Sequence, residues 1–386
     1  MNSRLQITKH SKHKLTTVFL TGVTGFLGGA FLSNLVDNSF DDDIVCLVRA
    51  DDQDTAEERV RRSLARFCPS NSPWAKRLPR NVRVLRGDIT RDDWHSAPEL
   101  DDVSHVLHLA ASTSFGNQPG IRKTNVEGAL SLAKAMRGRN LTRYIHTGTA
   151  TICGAAPPHV VHEDSYPSDE AEHLVAYTRS KAEAERQLAE RYADLPIVIA
   201  RPSIVVGHTR LGCGPSGSIF WVLRALDALR FITWDPHNRI DVVPVDWAAM
   251  ALSHLLFAPK LDHYRYHVSA GIGRSITWEE LAAENSRVQG GPAKNRYEVG
   301  RIKELTSSRI SRAVGRGHTR HLLHALELYC RFCSLDLVFD NQRLLDAGVP
   351  PPPRFTDYMK VCLDSSTSLS IYDQMRVDLE PSLAVA

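Results

Sequence analysis

The chain has 386 residues, 24% charged and 42% hydrophobic, with 47 Lys and Arg against 44 Asp and Glu. That composition excludes disorder as the main state, which needs low hydrophobicity and a large net charge. A net charge of +3 gives no argument for a nucleic-acid partner. At roughly 150 residues per lobe the length suggests two or three lobes, with a core large enough to need no disulfide or structural metal.

Residues 1–15 hold four Lys and Arg and no acid, with no apolar stretch following as a secretion signal requires, so they read as a flexible basic tail. The segments 16–22, 43–48, 82–85, 105–110, 144–149 and 195–201 are short and rich in Val, Ile and Leu, as strands buried on both faces are. Between them, 55–67, 124–136 and 179–193 have helical character. Alternating strands and helices predict an α/β fold: a Rossmann-type, doubly wound parallel sheet covered by helices on both faces.

The pattern changes after 207. A turn-rich loop at 210–217 precedes an apolar helix at 218–231, then 240–245 and a helical 246–257. A long helical stretch is expected over about 302–334, and the prolines at 350–353 form loop or polyproline II. The predicted organisation is a dinucleotide-binding domain at 14–207, to which 240–260 returns. A smaller substrate lobe is expected from 208–239 and 262–365, with flexible tails at 1–13 and 366–386.

The seven cysteines are odd in number and scattered, unlike a secreted disulfide framework. Cys330 and Cys333 read as an i,i+3 pair on an amphipathic helix. His318, His321 and His324 drift around a helix without a carboxylate or thiol partner, so no metal site is expected. With no apolar run of about 18 residues, a spanning helix is excluded and a cytoplasmic protein is expected.

The strongest local signal is TGVTGFLGG at 21–29. Gly22, Gly25 and Gly28 follow a strand and open a helix. Such glycines allow a tight turn and close approach of the backbone to a pyrophosphate, which the helix N-terminus attracts. Thr24, Phe26 and Leu27 complete this turn. Where an acidic residue would bind a ribose 2′-OH, the second strand runs into Arg49. A guanidinium suits a 2′-phosphate, so NADPH (NADP+) is favoured over NAD, although Asp51 and Asp52 follow closely. Asp88, with Ile89 beside it, is placed to meet the adenine or to serve as a turn residue.

Tyr177 and Lys181 are spaced i,i+4 on a helix and share one face. An ammonium one turn from a phenol lowers its pKa from about 10, which makes Tyr177 a usable proton donor. Thr149 ends a strand where ligands bind in such sheets and is placed to donate to the same oxygen.

Together with Ala110 and Ala111 in LHLAAST, Asn125 in TNVEG and Pro202, Ser203 and Ile204 in RPSIVVG, these residues resemble an extended short-chain dehydrogenase/reductase. Within that superfamily, TGVTGFLGG, VCLVRA, RPSIVVG, IDVVPVDWAA (240–249) and FDNQRLLDAG (339–348) are similar to the fatty acyl-CoA reductase and thioester reductase branch. The resemblance implies NADPH-dependent reduction of an acyl thioester to aldehyde or alcohol, with Thr149, Tyr177 and Lys181 as the catalytic set. It implies that Lys181 also binds the nicotinamide ribose and that Asn125 orders the site or its own helix. The partner is then an acyl thioester on coenzyme A or an acyl carrier protein; the superfamily also makes homodimers. Where the family often has Ser before the catalytic Thr, this chain has Gly148. Phe220, Trp221 and Leu223 are candidate walls of an acyl tunnel. The basic stretch 301–331 is a solvated face, a docking surface for an acidic carrier or coenzyme A phosphates, or, third, a membrane-facing surface. Alternative readings are an aldehyde/ketone reductase or hydroxysteroid-type dehydrogenase, a sugar-nucleotide epimerase, which Arg49 argues against, and a non-catalytic dinucleotide sensor.

Overall fold

The computed structural model describes residues 16–379, apart from 70, 114, 116–119, 291–296 and 316. The central sheet contains β1 (Thr17–Thr21), β2 (Ile44–Val48), β3 (Val82–Arg86), β4 (Val103–His108), β5 (Arg143–Thr147), β6 (Ile197–Pro202) and β7 (Arg265–Val268). Their spatial order is β7-β6-β5-β4-β1-β2-β3, with every pairing parallel. Strands β1 and β2 are buried at every position, which explains their unbroken apolar sequences. The chain leaves β1 toward β2 and β3, then returns to the other side of β1 with β4. That reversal opens a crevice at the C-terminal ends of β1 and β4, where ligands bind in such sheets.

Helices α1 (Phe26–Asp37), α2 (Gln53–Ala65), α3 (Gly128–Met136), α4 (Ala176–Arg191), α5 (Phe220–Leu229) and α6 (Val245–Phe257) follow in chain order. Helix α6 packs against α1 and touches β4 and β5. The later helices are α7 (Trp278–Val288), α8 (Ser307–Val314), α9 (Thr319–Cys333), α10 (Phe355–Ser365) and α11 (Ile371–Leu379). With α5 they enclose a second apolar core around Trp221, Phe231, Trp278, Leu322 and Phe355.

Four particulars differ from the sequence expectation. Strand β7 belongs to the sheet although 262–365 was assigned to the second lobe; its Tyr266, His267 and Val268 are buried against β6. The stretch 240–245 divides into two bridges, one antiparallel to Ile276–Thr277 and one parallel to Ile204–Val205. Asp241, between them, accepts backbone hydrogen bonds from Ala270, Gly271 and Phe339. The helix expected over 302–334 is two helices, broken at Gly315, whose φ of 97° no side chain adopts readily. The expected tail from 366 carries α11, which buries Ile371, Gln374 and Met375. Residues 1–13 and 380–386 of the expected tails lie outside the described residues. Cys330 and Cys333 share α9 as free thiols, Cys330 in the second core.

Helix α4 is tied to the sheet by a buried ion pair. Arg201 on β6 meets Glu185 with Nη2 at 2.7 Å and Nε at 3.1 and 3.2 Å from the two carboxylate oxygens, both side chains 1% exposed. Arg201 also donates to the carbonyls of Glu163 and Ser165. Removing one partner strands the other charge in the interior. Glu185→Ala is expected to cost on the order of 3–5 kcal/mol of unfolding free energy, measured by urea denaturation.

Candidate active site

The glycine turn between β1 and α1 is built as its sequence suggests. Gly22 has φ 75°, and a Cβ there would sit 2.6 Å from the Ala110 backbone nitrogen. A Cβ on Gly28 would lie 2.2 Å from the Gly22 carbonyl oxygen, so helix and turn touch backbone to backbone. The Gly25 N–H closes the turn on the Gly22 carbonyl at 3.0 Å. Helix α1 has no side-chain cap and no acid in its first turn, which leaves its positive end available to an anion. These are features a pyrophosphate requires. Thr24 is partly buried beside the turn, Phe26 stacks on Phe67 at 6.2 Å, and Leu27 packs against the first core.

Arg49 extends from the end of β2 with its side chain 76% exposed and Nη1 4.0 Å from Asp88. Arg59, on α2, donates to the Arg49 carbonyl. Asp52 is occupied as the N-cap of α2, accepting the Thr55 N–H at 2.7 Å. Asp88 folds back on Thr90, accepting from its N–H and hydroxyl at 2.9 Å each. Burial raises its pKa, but these bonds and Arg49 outweigh burial and hold the carboxyl below its ordinary range. Its neighbour Ile89 is buried in the core and fills the space above Gly128. Two arginines of α2 escaped the sequence reading. Arg59 flanks Arg49, and Arg66 pins the glycine turn through the Thr24 carbonyl at 2.9 Å. Their signal was the seven-residue spacing, which places both on one helix face.

At the far side of the crevice, Tyr177 lies in the first turn of α4 and Thr149 just beyond β5. Burial pushes the Tyr177 phenol up to about 12, while the Thr149 hydroxyl beside it pulls the other way. Thr149 is buried and bonded to the Thr151 hydroxyl at 2.9 Å. Lys181 follows Tyr177 by one turn on α4. Its ammonium donates to the Thr147 carbonyl at 2.7 Å. Burial lowers its pKa to about 8 against the attraction of Glu185 one turn further on. Asn125 spans the site's floor: its Oδ1 accepts the Ser112 N–H at 2.7 Å, and its Nδ2 donates to the Ser112 carbonyl and the Ser180 hydroxyl. It sits in a π-helical turn, Lys123–Glu127, and locks the loop after β4 to α4. Ala110 is held by its N–H to Thr21 Oγ1 at 3.2 Å, with Ala111 following it. Pro202 ends β6, Ser203 donates its N–H to Val268, and Ile204 pairs with Val242. These bonds tie the loop after β4 to the end of β1 and to α4.

Gly148 has a steric cause. A Cβ there would lie 2.2 Å from Glu185 Oε1, so the missing side chain leaves room for the buried carboxylate. Phe220, Trp221 and Leu223 are all core residues, from 0% to 7% exposed, and do not line an open tunnel. Their apolar runs are equally those of a buried helix.

A family model described as Male sterility protein, an NAD-binding domain, matches residues 20–252, more than half of the chain. The chain belongs to this male sterility protein family. Among relatives of the family member described here, the non-canonical nonribosomal peptide synthetase FrzA of Cladobotryum sp is 29% identical over 269 residues, 65% of this chain and 26% of FrzA. The aldehyde reductase lnaA of Aspergillus flavus is 27% identical over 261 residues, 62% of this chain and 24% of that protein. The chain thus aligns with about a quarter of the length of these relatives. The crystal structure of the terminal R domain from the myxalamid PKS-NRPS biosynthetic pathway superposes with a TM-score of 0.74 at 22% identity, covering 93% of this chain and 92% of that one. The shared fold is a nicotinamide-dinucleotide-binding one.

Beneath the site, His108 and His146 lie side by side on β4 and β5, ring centroids 5.2 Å apart. Burial and the nearby Lys181 ammonium depress both; His108 falls to about 3 and His146 well below its ordinary value. Neither His146 nitrogen has a hydrogen-bond partner among the described residues. Below about pH 6.5 the unfolded chain takes a proton at His146 more readily than the folded chain, so stability falls on acidification. His146→Leu should shrink the stability lost between about pH 6.5 and 4.5, read from urea midpoints at the two pH values.

Proposed function

We propose that this chain catalyses the NADPH-dependent reduction of an acyl thioester, with release of thiol and formation of an aldehyde or alcohol. The observation that carries the reading is the placement of Thr149 beside Tyr177, across the crevice from a glycine turn that admits a pyrophosphate. The preference for NADPH is supported by Arg49 at the end of β2 with Arg59 of α2 beside it, and by Asp52 being spent on the N-cap of α2. The nonribosomal peptide synthetase relative and the R-domain fold support a thioester, delivered on a carrier protein or on coenzyme A. Among the described residues no helix is long and apolar enough to cross a membrane. The reading places the protein in the cytoplasm.

When bound, the reduced nicotinamide supplies a hydride to the thioester carbonyl carbon. Tyr177 and Thr149 donate hydrogen bonds to the oxygen as negative charge develops on it. A phenol held near 12 is protonated at neutral pH, so Tyr177 begins as the acid. Lys181, buried on the Thr147 carbonyl, supplies positive charge beneath the site. Asn125 and Ser180 fix the first turn of α4 against the loop after β4. Collapse of the hemithioacetal then expels thiol. The aldehyde reductase relative favours a second reading, reduction of free aldehydes, in which no thiol is released.

The test is NADPH oxidation with acyl-CoA and acyl-carrier thioesters, with free thiol followed in the same cuvette. Matched thiol release is expected, and the ratio of NADPH to thiol separates aldehyde from alcohol. Activity on free aldehydes alone would select the second reading. Tyr177→Phe should lower turnover by about 10²-fold or more with NADPH binding unchanged. Arg49→Ala should weaken NADPH by about tenfold or more and NADH by less than twofold, measured by fluorescence titration. Equal losses would remove the argument for the 2′-phosphate.

A further inference from the structure

Asp378, on the terminal helix α11, accepts two hydrogen bonds on one carboxylate oxygen. Trp221 Nε1 of α5 donates at 2.9 Å and the Tyr329 hydroxyl of α9 at 3.0 Å. Both rings are buried, and they meet edge to face, centroids 5.4 Å apart at 87°. The Tyr329 ring stacks on Phe115, in the loop after β4, at 5.0 Å and 25°. Phe332, the next aromatic residue along α9, reaches the same Phe115 at 4.9 Å. Phe115 in turn lies 6.0 Å from the Tyr177 ring, 29° from parallel. A continuous series of rings thus joins the terminal helix to the proposed proton donor. Phe115, Phe332 and Tyr177 are the partly exposed members, so they form its open end. Helix α11 is held in place independently of Asp378, by the Gln374 amide oxygen accepting from Arg224 at 2.8 Å and by buried Ile371 and Met375.

We propose that Asp378 is a positioning residue for a substrate wall: by holding Trp221 and Tyr329 it sets the Phe115–Phe332 surface beside Tyr177, which takes apolar or aryl acyl groups. The chemistry of the surface selects that class. Aromatic faces reward flat or apolar groups through stacking and burial. The one charged group in the series, Asp378, is consumed by two donors on the side away from Tyr177, so it offers nothing to a charged acyl group. The inference rests on the thioester reading for its substrate, while the ring geometry stands without it.

The test compares wild type, Asp378→Ala and Asp378→Asn on acetyl-, octanoyl- and benzoyl-CoA, with the NADPH dissociation constant measured alongside. Asp378→Ala should raise KM for octanoyl- and benzoyl-CoA by about tenfold or more. Its kcat, its NADPH affinity and its acetyl-CoA kinetics should stay within about twofold. Asp378→Asn, which keeps an acceptor oxygen, should restore most of the difference. An equal loss on all three acyl groups, a parallel loss of NADPH affinity, or no change at all would overturn the proposal. Should Asp378→Ala not fold, Trp221→Phe, which deletes one donor and keeps a ring, is read the same way. If wild type reduces only acetaldehyde, octanal and benzaldehyde, the thioester reading fails and the same chain-dependent split on aldehydes still upholds the wall. If it reduces neither class, calorimetry with the three acyl-CoA probes on NADP+-loaded protein decides. Selective weakening of the octanoyl and benzoyl probes supports the wall; equal or absent binding overturns it.

Discussion

The ion pair between Glu185 and Arg201 is the constraint on which the site depends. It fastens α4 to β6, as the Lys181 bond to Thr147 fastens it to β5, and α4 carries both Tyr177 and Lys181 on the face that Glu185 continues. Two fully buried charges are costly to desolvate, and they are tolerated because the guanidinium finds both carboxylate oxygens and two backbone carbonyls. The pair also governs its neighbours. It displaces any side chain from residue 148, and its carboxylate raises the Lys181 pKa against the larger lowering by burial.

The sheet strands and the glycine turn were legible because their signals are local. An apolar run too short for a helix, ending in closely spaced glycines, leaves few other solutions. The positions of Thr149, Tyr177 and Arg49 followed from counting along strands and helices. What the sequence hid depends on contacts between distant residues. Nothing near Lys181 announces that Thr147, 34 residues earlier, offers its carbonyl. Nor does the 265–268 segment reveal that its partner is β6. The apolar residues of α5 looked alike as tunnel and as core, because hydrophobicity reports burial and not what does the burying. The segment after 366 seemed loose because its polar residues mask a face that buries Ile371 and Met375.

The two lobes divide the chemistry. The sheet supplies rigid backbone: the glycine turn after β1, and the strand end that carries Thr149. The second lobe contributes rings, whose arrangement is set by side chains from α5, α9 and α11. On the proposed reading, such an arrangement lets substrate preference vary through the aromatic residues while the groups proposed for reduction at the sheet stay as they are.

Strand β7 carries a consequence for the order of folding. Its partner β6 ends at Pro202 and β7 begins at Arg265, so the chain builds α5 and α6 before the sheet receives its last strand. The fastening continues later still: Val338–Phe339 pairs with Val160–Val161, and Asp340 reaches back to His162 and His267. Closing loops of that length delays the reward for the contacts they bring together. During synthesis, the edge of β6 therefore stays open until more than sixty residues beyond it have emerged, a period in which an unpaired parallel edge is exposed to neighbouring chains.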